Sequence, residues 1–150
     1  MKNKPLKATL AVVIFAVTVG MVYDDIATDK ILAVINVKIQ KDNQNNTWRV
    51  RDNEGRNMGT ISASKNNGDV INWQSVGSAM VFTFDKNVNR YFEFDEGLFE
   101  DGYTQRVDAN KKLRLKVLEN APQDTLIYNV FVIKAEKFVV GNSPPKVVIR

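Results

Sequence analysis

Histidine and cysteine, the side chains most used for proton transfer near neutral pH, thiol attack and zinc or copper ligation, are both absent from this 150-residue chain. Ser-His-Asp triads, Cys-His dyads, zinc sites of the usual ligand types and disulfides are therefore excluded. Carboxylates, lysines, tyrosines and serines remain. The densest group is Glu93, Asp95, Glu96, Glu100 and Asp101, five carboxylates within nine residues. Several oxygen donors on a segment jointed by Gly97 and Gly102 suit calcium, and a carboxylate pair can hydrolyse glycosides. The spacing departs from the D-x-D-x-D-G order of an EF-hand, and no neighbouring pattern marks one acid as a proton donor. The first expectation is a solvated acidic loop anchored by Phe94, Leu98 and Phe99. The alternative is a calcium loop using Asp95, Glu96, Glu100 and Asp101. No catalytic residue and no cofactor are expected.

The aromatic residues divide by parity. Phe82 and Phe84, like Phe92 and Phe94, are two apart and belong on one face of a strand, which is core spacing. Tyr91 and Tyr103 are expected at the surface, where they would be the binding residues of a carbohydrate- or calcium-binding loop over 91–103. Asn142-Ser143-Pro144-Pro145 reads as a rigid turn into a last strand.

A formal net charge of +4 falls to +1 once Lys2, Lys4 and Lys7 are set aside, because these precede the first apolar run. No basic face, and so no nucleic-acid partner, is expected from that balance.

The elements that must position these residues are of two kinds. Met1 to Lys7 is short and basic, and Ala8 to Tyr23 is sixteen residues without a charge, closed by Asp24-Asp25. That is the pattern of a secretory signal or an uncleaved signal anchor, shorter than the ~20 residues of an ordinary membrane span. Residues 1–27 are assigned to it and 28–150 to one folded domain. After Asp29 the hydrophobic period becomes two. Leu32 to Ile39, Trp48 and Val50, Val70 to Trp73, Met80 to Phe84, Tyr91 to Phe94, Lys112 to Val117, Leu126 to Ile133, Val139-Val140 and Val147 to Ile149 read as strands. Asp52 to Gly55 and Asn66 to Asp69 read as turns. Eight to ten short strands predict an all-β sandwich, with Trp73 at its centre and Leu126 to Ile133 as a central strand.

Three stretches resemble the cupredoxin superfamily of Greek-key sandwiches. They are Gly68-Asp69-Val70-Ile71-Asn72-Trp73, the region from Leu113 through Ala121-Pro122 to Val130, and the closing strand Lys146 to Ile149. The resemblance covers residues 32 to 150 and implies the fold. It does not carry the family's copper chemistry. Where that family places its first histidine, this chain has Gln74 to Met80, and where the Cys-His-Met loop would follow Tyr128 it has Val130-Phe131-Val132-Ile133. Met80 is the one soft ligand, and one thioether does not make a site. The sequence thus predicts an all-β, cupredoxin-like Greek-key sandwich behind an N-terminal apolar signal or anchor helix. It predicts a periplasmic or extracellular, non-catalytic binding or assembly module. Its expected partners are the membrane, through an uncleaved N-terminal helix, and another exported or membrane protein.

Overall fold

A computed structural model describes residues 32–141 and 143–150. The expected signal or anchor segment, 1–27, lies outside them. Among the described residues no helix is long and apolar enough to cross a membrane.

Among the described residues eleven strands form two sheets: β1 (Val34–Asp42), β2 (Thr47–Arg51), β3 (Thr60–Ala63), β4 (Val70–Ser75), β5 (Met80–Phe84), β6 (Phe92–Glu93), β7 (Thr104–Val107), β8 (Lys112–Val117), β9 (Asp124–Val132), β10 (Lys137–Phe138) and β11 (Lys146–Ile149). The first sheet runs β2-β1-β4-β8-β6 and the second β3-β11-β9-β5-β7, with β10 also paired to β9. Two pairs are parallel, β1 with β4 and β3 with β11. Each joins strands distant in sequence, so the connecting chain crosses between the sheets.

The inner faces follow from alternation. In β8, Leu113, Leu115 and Val117 are buried while Lys112 and Arg114 face water, the wet-faced strand the sequence predicts. β9 buries Leu126, Tyr128, Val130 and Val132 and lies between β11 and β5, as expected for a central strand. Trp73 is fully buried. Its ring meets Tyr128, Phe82 and Phe84 edge-on at 5.7, 6.2 and 6.3 Å between centroids, and its indole N–H donates to the Tyr128 hydroxyl at 3.1 Å. Desolvation raises the Tyr128 phenol well above its ordinary value.

The Gly-Asp turn before β4 acts as a clasp. Gly68 takes a positive φ of 66°. Asp69, 5% exposed, accepts the Ala33 N–H at 3.2 Å and the Ser64 N–H at 2.8 Å. One buried carboxylate thus ties the start of β1 to the chain leaving β3.

Several sequence expectations need correction. The strand expected over Tyr91–Phe94 shrinks to β6, because Val88–Arg90 winds a 3-10 turn, capped by the Asn87 side chain, and Tyr91 closes it. Phe94 is only partly buried against the core. Val139-Val140 form no strand. β9 instead folds back on itself through a 3-10 turn (Ile133–Ala135) into β10, and the Val140 N–H donates to the Trp48 carbonyl of the other sheet. β7 went unpredicted because only Val107 of its four residues is buried.

Candidate functional site

The acidic loop is built from the inside. Phe99 is buried, with its ring against Phe94 and Phe84 at 5.1 and 5.8 Å, and its N–H donates to the Gln105 side-chain oxygen at 2.8 Å. Gly102 turns the chain at φ 77°, where an added Cβ would stand 2.7 Å from the Asn87 amide nitrogen. Asp101 accepts the backbone N–H groups of Tyr103 and Thr104 at 2.7 and 2.6 Å, which lowers its carboxyl below the ordinary range. Glu93 pairs with Lys116 at 2.9 Å. Among the described residues no three His, Cys, Asp or Glu side chains form a group that could hold a metal ion. The four candidates Asp95, Glu96, Glu100 and Asp101 form no such group.

The two tyrosines part company. Tyr103 is exposed, as expected. Tyr91 is 2% exposed, against expectation. Its hydroxyl donates to Asp124 at 2.7 Å, and the other Asp124 oxygen takes the Lys86 ammonium at 2.6 Å. The partner that draws this ring inward stands far along the chain, so local parity does not reveal it. Lys86 and Tyr91, with the Thr125 N–H, hold the Asp124 carboxyl down at about 2. Hydrogen bonding to Asp124 raises Lys86, and desolvation raises Tyr91. All three shifts move away from neutrality, the opposite of what proton transfer needs. The cluster is a fastener between the start of β9 and the chain after β5.

A cleft of about 730 Å³ opens at one end of the sandwich. From the first sheet it is lined by Lys41 of β1, Trp48 of β2 and Val76-Gly77 after β4, and from the β9–β10 hairpin by Lys134 and Lys137. Amides from Gln40, Asn43 and Asn46 complete it. The hairpin tip is latched in place. The Ile133 N–H donates to the Ala79 carbonyl at 3.0 Å, and the Lys134 N–H donates to the hydroxyl of buried Ser78 at 3.2 Å. The Val76 N–H donates to the Ile39 carbonyl at 3.0 Å, which ties the same loop to β1.

Among the described residues no carboxylate lines the cleft, and none of its three lysines is in an ion pair. The arrangement can attract an anionic group and offer it ammonium, amide and indole donors. The sequence reading used Trp48 only as a strand residue and missed the lysines, because they come from strands remote in the chain. A second, smaller hollow of about 220 Å³ lies between β2 and the 139–145 segment, lined largely by Val50, Val139, Val140 and Pro145. Met80 is fully buried in the core and lines neither space.

No protein-family model matches the sequence, and no curated protein is similar to it.

Proposed function

We propose that the chain is an exported, non-catalytic binding or assembly module on a copper-free, cupredoxin-like Greek-key sandwich, and that it receives the anionic group of its ligand or partner in the lysine-lined cleft. One observation carries the reading. The two stretches that the resemblance would assign to copper loops, Gln74 to Met80 and the run after Tyr128, meet through the Ala79 and Ser78 hydrogen bonds to Ile133 and Lys134. Where they meet they contribute lysine, glycine and aliphatic groups to the cleft. Further support for the fold assignment comes from the Gly68-Asp69 clasp and from Trp73 in the sandwich centre. Export rests on the basic and apolar run at 1–23.

The test is thermal unfolding of the full chain against a panel of sugar acids, small carboxylates and phosphate esters, with copper and calcium alongside. A ligand at a hundredfold excess over its Kd adds about 2.7 kcal/mol to native stability. The expected result is a raised Tm with at least one anion, lost in Lys134→Ala/Lys137→Ala. Stoichiometric copper with an absorption band near roughly 600 nm, which needs a thiolate, would overturn the proposal. So would a calcium-dependent rise in Tm removed by Asp95→Asn/Glu96→Gln.

A further inference from the structure

The near-neutral balance of the chain beyond Lys7 hides how its charges are placed, and the expectation that it lacks a basic face needs correction. Period-two geometry turns Arg49 and Arg51 of β2, Lys38 of β1, and Lys112, Arg114 and Lys116 of β8 to the outer face of the five-stranded sheet. The register aligns them across strands. Arg51 stands beside Lys38, Lys38 beside Gln74, and Gln74 beside Lys112, while Asn36, Asn72 and Arg114 form the next row. At the ordinary strand spacing, the row from Arg51 to Lys112 spans about 14 Å.

Two acids share the face, and both are engaged. Asp42 pairs with Arg49 at 3.5 Å and Arg51 at 2.9 Å, and Glu93 pairs with Lys116 at 2.9 Å. Lys38, Lys112 and Arg114 have no carboxylate partner among the described residues. Between the cations stand amides, with the Asn72 side chain donating to that of Asn36 at 3.2 Å and Gln74 beside them. Cations alternating with groups that both donate and accept match a polymer carrying regular negative charges and many hydroxyls.

We infer that this face docks an extended acidic polysaccharide. Among the described residues no aromatic side chain lies on it to stack a base, and no helix or ribbon rises from it to enter a nucleic-acid groove. Val34, at one end, is its one exposed apolar residue among the described residues, so it offers little to insert into a lipid surface. The outer face of the other sheet differs, since Ile127 and the Phe131–Phe138 ring pair at 5.2 Å make it partly apolar. The inference is independent of the cleft.

The test is fluorescence anisotropy of the full chain with labelled heparin oligosaccharide as probe, across a sodium chloride series. Lys112→Glu/Arg114→Glu is expected to weaken binding by roughly tenfold or more, and Lys112→Gln/Arg114→Gln to lower the log-log salt slope by about one per cation removed. Both changes are at exposed positions, and circular dichroism verifies the fold of each variant. Lys146→Glu, on the other sheet, is expected to bind as the unaltered chain does. Three results would overturn the inference: heparin affinity unchanged in the Lys112/Arg114 variants, affinity lost in Lys134→Glu/Lys137→Glu instead, or single-stranded DNA bound more tightly than heparin.

Discussion

Trp73 and Asp124 make opposite kinds of contribution. Trp73 contributes apolar burial, being enclosed by Phe82, Phe84 and Tyr128 with its one polar atom satisfied. Trp73→Ala is expected to cost about 3–5 kcal/mol in urea unfolding, a large share of a total stability of about 5–15 kcal/mol. A loss under about 1 kcal/mol, well short of any buried Trp, would refute the core assignment. Asp124 contributes charge. Its folded-state carboxyl is depressed to about 2, below its ordinary value, so its stabilising effect is present above pH ~4 and fades as pH falls through that window. The difference in Tm between the unaltered chain and Asp124→Asn should therefore shrink between pH ~4 and ~2. A difference that is constant over that range would show that the Lys86 and Tyr91 contacts do not hold in solution.

Secondary structure was legible where a strand alternates over its full length. β8 could be read because Leu113, Leu115 and Val117 stand against Lys112, Arg114 and Lys116, and β5 because Met80, Phe82 and Phe84 share a parity. β7 and β10 carry too few buried residues to show a period, and their pairing to β5 and β9 is set by the sheet. The acidic loop was legible as a solvated loop anchored by aromatics, since Phe99 is an inward residue whichever way the carboxylates point. Gly102 is the joint of that loop, and Gly102→Ala forces both a positive φ on an L-residue and a contact with the Asn87 cap. The expected cost is about 1–3 kcal/mol, read by urea unfolding. An unchanged midpoint would mean that the 3-10 turn and the loop are not coupled through Asn87.

At the scale of the whole molecule, the sandwich separates three chemistries: a sealed aromatic core, a cationic and amide-rich sheet face, and a lysine cleft at one end. Neither polar surface could be read from the sequence. Each is assembled from strands remote in the chain, and register, not spacing, brings them together. All the strands among the described residues lie after Asp29, so a chain beginning at Thr28 is expected to give a β-type circular dichroism spectrum and one cooperative unfolding transition. An unfolded product would contradict a single domain over 28–150. The most direct test of the binding reading is a two-dimensional amide and indole NMR titration of the protein with glucuronate. The account predicts that the Trp48 indole N–H and the amides of Gly77 and of Lys134 to Lys137 shift together and saturably, while the Trp73 indole stays fixed. Shifts confined to the 91–103 loop, or no shift at the cleft with any sugar acid, carboxylate or phosphate ester of the panel, would contradict it.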